Sequence, residues 1–492
     1  MLNDAVKTFS HGQPLGEAKW STLHAEAQNR PRGVVSHQPD PLSELAERFT
    51  IILSRFSGHF QLKTRNVYGQ AGEYLRGLIQ APLRQRNMER MAEVVPETNE
   101  QHLQNFLTES PWSHRAVMDD VARQANQLVG GRPDSGLLID ECSIKKSGKL
   151  SVGADRQWCG RLGKVDICQN AVFGVLSDGV RFVPIDTRLY LPKDWVTNPK
   201  RCRKAGVPDD AIVPLSKAQH ALEIVRHARA LGIGFGWTGL DGGYGKEPWL
   251  LRALDGQGEV FVADVHKDQV IYLDDPAPAV PVSVRKGGRQ PQLLQAKCEG
   301  VRVDKWLATQ PKEAWQMVTL RDTTRGKLKV EIICRRVWVW DRTEATGHCW
   351  HLIVRREIDS PDTIKFSLSN APANTLPERL AFMQGQRYWV ERSFQDAKGD
   401  CGMADYQVRK WAGWHHHIAM VMIAMLFMAE ERAAQQADTP LLSGADIVKL
   451  LKHFLPKTGV TTDDVFEQMR MRHYKRQSVI DAAYCRQNIF LE

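Results

Sequence analysis

The chain has 492 residues, of which 42% are hydrophobic, and its 66 lysines and arginines exceed its 57 aspartates and glutamates, for a net charge of +9. This composition supports a large hydrophobic core and roughly three domains, and it excludes a wholly disordered or fibrous protein. The positive charge suits a polyanion as partner, but ordinary enzymes also carry such a charge, so charge alone leaves nucleic-acid binding open.

Two features of the sequence bear on the compartment. The nine cysteines include no C-x-x-C pair and no Cys/His finger spacing, so we expect reduced thiols without structural zinc or disulfides. The longest apolar run, Ile418–Ala429, is shorter than the roughly 20 residues that cross a bilayer, and it predicts a buried helix. Since no apolar stretch follows a basic start at the N-terminus, we expect a cytoplasmic protein with no membrane partner.

The first part of the chain divides into two segments. Residues 1–40 are polar and without sustained periodicity, which indicates a flexible leader. Residues 41–132 follow a helical pattern, and Arg84, Arg86 and Arg90 lie between the short predicted helices. This pattern suits an N-terminal helical DNA-binding domain, with a helical cap that packs on the next domain as the alternative.

Strand patterns begin after the helical segment. Residues 133–265 alternate strand-like and helical patterns and predict the first part of an α/β domain. One apolar run ends at Asp140, and a later one, Phe235–Leu240, ends at Asp241. Ligands of open α/β sheets bind outside strand ends, so both aspartates are candidate site residues. The alternative is that each aspartate caps the turn after its strand.

The rest of the chain changes character twice. Residues 266–365 are β-rich and basic and predict an inserted β-subdomain. Helical patterns return in residues 366–435, which we assign to the second part of the α/β domain. Residues 436–492 predict a small helical C-terminal region.

A predicted helix, Gln384–Lys398, carries a stripe of charged residues. At about 100° per residue, Arg387, Glu391 and Lys398 lie on one face of it. Such a stripe needs a partner. The alternative is a solvated face held by an Arg387–Glu391 pair, which is worth only a few tenths of a kcal/mol.

Five segments together resemble landmarks of the bacterial insertion-sequence DDE transposases. They are residues 140–153, 156–165, 186–192, 240–245 and 391–399. The combination is similar to the branch called insertion sequence seven-hundred-and-one, allied to the insertion-sequence-four superfamily, and it covers about residues 45–430. That superfamily has a Tyr-x2-Arg-x3-Glu-x6-Lys signature, which this chain matches at Arg387, Glu391 and Lys398, with Gln384 at the tyrosine position.

The resemblance implies a fold and a set of catalytic residues. The implied fold is an RNase H-like (retroviral-integrase-like) α/β catalytic domain that is split by the β-rich insertion. Asp140, Asp241 and Glu391 would be catalytic and would hold two Mg²⁺ ions, with Mn²⁺ as a substitute, because hard cations prefer carboxylate oxygens. Asp140 would bridge both ions.

The resemblance also implies contacts to DNA and a reaction. Arg387 and Lys398 would grip phosphates beside the scissile bond, and Arg392 and Arg409 are further candidate contacts. The implied enzyme is a cut-and-paste transposase that acts as a homodimer or higher oligomer on double-stranded DNA in the bacterial nucleoid. The alternatives are an RNase H-like nuclease that only hydrolyses and a domesticated DNA-binding protein.

Overall fold

A ten-stranded mixed sheet organises the part of the chain that this computed structural model describes, namely residues 44–281, 291–323, 326–439, 441–459 and 461–488. The predicted leader, residues 1–40, lies outside the described residues. The strands of the sheet are β1 (Gly136–Lys145), β2 (Asp155–Cys159), β3 (Lys164–Ser177), β4 (Phe182–Leu189), β5 (Trp237–Leu240), β6 (Phe261–Val265), β9 (Gln316–Thr323), β10 (Gly326–Val339), β11 (His348–Glu357) and β12 (Ile364–Ser369). A separate ribbon pairs β7 (Val270–Ile271) with β8 (Val301–Arg302).

The strand order is β2-β3-β1-β5-β6-β12-β11-β10-β9, and β4 also pairs with β3. In the centre of the sheet, β5 runs parallel to both β1 and β6. On either side of these three strands the pairing is antiparallel, between β1 and β3 and between β6 and β12. The mixed α/β class is therefore confirmed. Strands β9 to β12 come from the segment predicted as an insertion, residues 266–365. They continue the same sheet, because β12 pairs directly with β6. The boundaries of the insertion stay a prediction.

Helices precede, interrupt and follow the sheet. They are α1 (Leu45–Ile52), α2 (Ser57–Phe60), α3 (Tyr68–Gln80), α4 (Met88–Val94), α5 (Glu100–Thr108), α6 (His114–Val129), α7 (Lys193–Val196), α8 (Pro199–Lys204), α9 (Lys217–Ala230), α10 (Gly242–Gly245), α11 (Pro248–Gly256), α12 (Val303–Ala308), α13 (Pro377–Gly385), α14 (Tyr388–Gly399), α15 (Trp411–Ala434), α16 (Gly444–Phe454) and α17 (Thr462–Asn488).

The helix predicted over Gln384–Lys398 is wrong at its start. Gln384 lies near the end of α13, and the next helix, α14, begins only at Tyr388. Two tight i→i+3 hydrogen bonds, to the carbonyls of Met383 and Gln386, separate the two helices. Arg387 therefore lies in a turn directly before α14.

Helix α15 forms the centre of the helical part of the molecule. It is long and apolar enough to cross a membrane, but 94% of that apolar window is buried inside the protein, which confirms the predicted buried helix. The N-terminal helices pack against it, through a bidentate pair from Arg48 to Glu431 and a hydrogen bond between Tyr74 and His417. Both ring nitrogens of the neighbouring His416 lie within hydrogen-bond distance of backbone carbonyls, those of Leu107 and Trp112 in the N-terminal helical segment. Because burial lowers the pKa of His416, its neutral ring donates to one of them at a time.

One of the arginines assigned to a DNA-binding role is internal. Arg86 is buried, and its Nη1 donates to the carbonyl of Gly399 at 2.9 Å. Arg90 instead pairs with Glu93 within α4. This packing agrees with the alternative of a helical cap, and DNA binding by residues 41–132 stays a prediction.

Candidate active site

Asp140 lies in the middle of β1, so the prediction that it ends a strand was wrong. All of β1 pairs with β3, including the residues after Asp140. The parallel pairing between β1 and β5, however, stops where Ile139 faces Leu240. Asp140 and Asp241 are the residues that follow this last pair. The two aspartates therefore share one edge of the parallel part of the sheet.

Asp241 also caps the short helix α10. Its Oδ1 accepts hydrogen bonds from the backbone N–H groups of Gly243 and Tyr244, at 2.9 and 3.2 Å. The capping alternative is thus part of its role, but Oδ2 is left for another partner. A Cβ at Gly245 would come within 1.9 Å of the Asp264 carbonyl on β6, so only glycine lets α10 pack this closely.

Arg387 brings the carboxylates together. Its guanidinium nitrogens lie 3.6 Å from Asp140 Oδ2, 3.7 Å from Asp241 Oδ2, 3.5 Å from Asp264 Oδ2 and 3.0 Å from Glu391 Oε1. The three acids predicted from sequence therefore meet around one cation. We call Asp140, Asp241, Asp264 and Glu391 the acid cluster.

The members of the acid cluster differ in exposure. Asp140 and Arg387 are largely enclosed, whereas the Glu391 side chain, in the first turn of α14, is 61% exposed. The acid cluster is therefore closed on the side of the sheet and open to water on the side of Glu391.

Burial and charge both act on the pKa values at the acid cluster. Burial raises the pKa of Asp140 to about 7; Arg387 opposes this rise, and the charges of Asp241 and Glu391 add to it. For Arg387, burial lowers the pKa, but the four carboxylates outweigh it and leave the pKa above its ordinary value. Arg387 stays charged, and the pKa of Asp140 lies near neutral pH.

The donor set of the acid cluster fits a hard divalent cation, since it consists of carboxylate oxygens. Among the residues that the structure describes, no three acidic, histidine or cysteine side chains stand close enough together to hold an ion. The reason is that the guanidinium of Arg387 fills the centre. Its Nε and Nη1 are buried without a hydrogen-bond partner, so charge alone holds this part of the group.

The other cations predicted to contact DNA have different surroundings. The Lys398 ammonium lies near the Phe394 ring and interacts with Cys142 on β1. Arg392 pairs with Asp396 one turn later in α14, at 2.7 Å. Arg409 is exposed in the loop between α14 and α15. Their contacts with DNA stay predictions.

Sequence reasoning missed two groups at this site. Asp264 is the single acid in the strand sequence FVADV of β6, and because β6 runs parallel to β5, an acid late in that strand lies at the same sheet edge as Asp241. That acid was the available signal. Tyr244 has a buried hydroxyl without a hydrogen-bond partner, and burial together with the charges of Asp140 and Asp241 raises its pKa well above the usual value. No pattern in the sequence distinguishes this tyrosine from a core residue.

Two comparisons with known proteins agree with this geometry. The sequence profile of the family described as "DDE superfamily endonuclease" matches residues 55–327, more than half of the chain, and includes Asp140 and Asp241. The chain is also 24% identical over 341 residues to a protein of Microchaete diplosiphon called "Probable transposase for insertion sequence element IS701". That match covers 69% of this chain and 77% of the relative.

Proposed function

The chain belongs to the DDE superfamily endonucleases, and from that premise we propose that it is a cut-and-paste DNA transposase. It binds the terminal inverted repeats of its own insertion sequence, cleaves the DNA there and joins the 3′-hydroxyl ends to target DNA. The observation that carries this proposal is the meeting of Asp140, Asp241 and Glu391 around Arg387. The similarity to a transposase over most of the chain supports it.

Cleavage and joining are both in-line displacements at phosphorus. Two Mg²⁺ ions, when bound, supply charge stabilisation to the attacking and leaving oxygens, and Mn²⁺ can replace them. Asp140, Asp241 and Glu391 would hold these ions. Protein phosphoryl-transfer sites work mainly by positioning and electrostatics, so the placement of these three side chains is what the fold contributes.

Each carboxylate brings a different freedom to the site. Asp140 Oδ1 accepts from the backbone N–H of Glu141 at 2.7 Å, and Asp241 Oδ1 accepts from the cap of α10. In both residues only Oδ2 faces the centre, so their orientation is fixed before substrate arrives. Glu391 is exposed on its helix and can adjust to the DNA. The site thus combines two fixed ligands with one adaptable ligand.

The positive charge of the chain supports binding to the DNA backbone. We assign Lys398, Arg392 and Arg409 to contacts with DNA phosphates near the ends of the insertion sequence. Arg392 and Lys398 are in the same helix as Glu391, and Arg409 is in the loop that follows it. Two DNA ends must be joined to one target, which favours a homodimer or higher oligomer. A protein bound to chromosomal DNA resides with the bacterial nucleoid in the cytoplasm.

A strand-transfer assay tests the proposal. The purified chain is incubated with a labelled fragment that carries the DNA flanking its own gene, a supercoiled target plasmid and Mg²⁺. We expect labelled ends joined to the plasmid, and no joining by Asp140→Asn, Asp241→Asn or Glu391→Gln. Glu378→Gln is the matched control, because Glu378 is an exposed acid in α13, and it should join as the unmodified chain does.

The other outcomes of this assay contradict the proposal in distinct ways. Hydrolysed ends without joined products would identify a nuclease that does not transfer strands. DNA binding without cleavage would identify a DNA-binding protein. A fully active variant at Asp140, Asp241 or Glu391 would remove that residue from the site.

A further inference from the structure

A buried hydrogen-bond chain ends at the acid cluster. The Gln384 Nε2 donates to Ser367 Oγ at 2.7 Å, and Ser367 Oγ donates to Asp264 Oδ1 at 2.6 Å. Its direction follows from chemistry: a carboxylate only accepts and an amide nitrogen only donates, so the single hydroxyl proton of Ser367 goes to Asp264. Gln384 and Ser367 are both buried, so water does not compete for these bonds.

Three separate elements build this chain. Ser367 lies on β12 directly opposite Asp264 on β6 in the antiparallel register. Gln384 is near the end of α13, at the position where the signature of the resembled superfamily has tyrosine. Asp264 is therefore fixed by one oxygen, while its Oδ2 faces the Arg387 Nε at 3.5 Å. In Asp140 and Asp241 the Oδ1 atom accepts instead from backbone N–H groups, so Asp264 alone among these three aspartates is oriented by a side chain.

The way in which Arg387 is held suggests that it can move. Among the four carboxylates only Glu391 is within hydrogen-bond distance of the guanidinium. The contacts with Asp140, Asp241 and Asp264 are 3.5–3.7 Å long, and within the described part of the chain the buried Nε and Nη1 have no hydrogen-bond partner. Leaving the centre would therefore cost Arg387 one good hydrogen bond, the one to Glu391, and its charge would still be paired if Asp264 stays with it.

We propose that Arg387 is the internal counterion of Asp140, Asp241 and Glu391, and that Asp264 is a positioning residue that retains Arg387 when divalent cations take the other three carboxylates. Ser367 and Gln384 keep Asp264 oriented for this task. The inference rests on the proposed function in one respect, namely that Asp140, Asp241 and Glu391 are the metal ligands. It adds that cation binding and Arg387 compete for the same oxygens.

Metal binding in the absence of DNA tests the inference. Mn²⁺ is titrated into the full chain and its free concentration is followed by electron paramagnetic resonance. Arg387→Gln removes the competing charge and should tighten Mn²⁺ binding by about tenfold. Asp264→Asn leaves Arg387 with only the three ligand carboxylates and should weaken Mn²⁺ binding by about tenfold.

A charge-neutral variant separates positioning from loss of charge. Ser367→Ala keeps every charge but releases Asp264, and should weaken Mn²⁺ binding by about threefold. Ser369→Ala is the matched control, because Ser369 is buried on the same strand and its Oγ accepts only a local bond from the Ala371 N–H; its affinity should be unchanged. Should Ser367→Ala not fold, Ser367→Cys replaces it, because a thiol is a much weaker donor than a hydroxyl and should release Asp264 in part.

A double-mutant cycle gives the decisive result. If Asp264 and Ser367 act through Arg387, the effect of Ser367→Ala disappears in the Arg387→Gln background, and that of Asp264→Asn falls to about threefold or less. Equal effects in both backgrounds would overturn the inference and leave the proposed function standing. Mn²⁺ binding that Asp140→Asn does not change would instead contradict the proposed metal site, and the inference with it.

Discussion

At each end of helix α14 an arginine lies beside carboxylates, and the two arrangements differ. Before the N-terminal end, Arg387 lies among the acid cluster with only one good hydrogen bond. At the C-terminal end, Arg86 is 2% exposed, donates to the Gly399 carbonyl and lies 3.8 Å from Asp405. A Cβ at Gly402, which has a positive φ, would come within 2.6 Å of the Arg86 side chain.

The two arrangements differ in their access to water. The surroundings of Arg86 are closed, so its charge serves to join the N-terminal helices to the end of α14. The surroundings of Arg387 open to water through Glu391, and two of its N–H-bearing nitrogens have no partner. Similar residue types thus form a closed contact at one end of the helix and a contact open to water at the other.

The largest expected effect is at the N-terminal end of α14, which we call the open end, where a substitution should lower activity and raise stability. We call the C-terminal end, with Arg86, the closed end. Asp140→Asn should reduce end cleavage by about a thousandfold or more, because a metal ligand is lost. Because burial raises the pKa of Asp140 from 3.8 to about 7, the folded state loses stability as the pH rises between these two values, and the neutral variant avoids this loss. We expect the free energy of unfolding at pH 8 to rise by about 1–2 kcal/mol.

Cleavage assays and urea unfolding check this pair of effects. Glu378→Gln serves again as the control and should change neither quantity. A variant that loses stability together with activity would show that the open end is as structural as the closed one.

The closed end should respond in the opposite way. Arg86→Met leaves buried carboxylates, chiefly Asp405, without their cation, so the free energy of unfolding should fall by about 3–5 kcal/mol. Cleavage per folded molecule should change little. Arg156→Met is the control, since Arg156 is an exposed arginine in β2, and it should cost at most about 0.5 kcal/mol. A small effect of Arg86→Met in urea unfolding would show that Arg86 does not stabilise the fold.

A buried histidine near the closed end, His417, should make the protein less stable in acid. His417 is fully buried; its Nδ1 accepts from the Tyr74 hydroxyl, and its Nε2 donates to the Met403 carbonyl beyond α14. Burial lowers the pKa of His417 to about 3, whereas the unfolded chain has a histidine pKa of about 6.5. Between these values the unfolded state binds the extra proton, so stability falls as the pH falls.

The expected slope from this single group is about 1.4 kcal/mol per pH unit below pH 6.5. Urea unfolding at pH 7.5, 6 and 5 measures it. His417→Gln keeps a donor and an acceptor but does not titrate, and should be less sensitive to this pH change. An unchanged slope in that variant would show that His417 does not account for the acid sensitivity.

The smallest effect is expected away from both ends of α14. Arg409 is exposed in the following loop, so Arg409→Gln should change the free energy of unfolding by at most about 0.5 kcal/mol. If Arg409 contacts a phosphate, the salt dependence of DNA binding should lose about one unit of slope in a log–log plot. Binding measured by fluorescence anisotropy at several salt concentrations checks this, and an unchanged slope would remove Arg409 from the DNA contacts.

Sequence reasoning reached those parts of the site that leave a local signal. Asp140 and Asp241 each follow an apolar run, and Glu391 belongs to a helical stripe that matches a known signature. The mixed α/β class was confirmed, because alternating strand and helix patterns are local as well. That Asp140, Asp241 and Glu391 meet required the resemblance, because no local pattern specifies contacts between residues far apart in sequence.

The features that sequence reasoning missed depend on distant partners. The pairing of β12 with β6, which brings Ser367 opposite Asp264, is a matter of register between strands about a hundred residues apart. The interruption between α13 and α14 follows from two tight turns at residues whose helix propensity is ordinary. Gly385 was the one hint in the sequence, because glycine is a poor helix former; in the structure, a Cβ added there would lie 3.2 Å from a Leu320 methyl.

The late position of α15 in the chain has a consequence for synthesis. Helices α3, α5 and α6 pack against α15, which leaves the ribosome only after the entire sheet has been made. At about 5–20 residues per second, the nascent N-terminal helices wait on the order of tens of seconds for this partner. During that interval the faces that α15 will cover stay exposed to chaperones and proteases, and a message truncated before residue 411 yields a polypeptide in which these faces are never covered by α15.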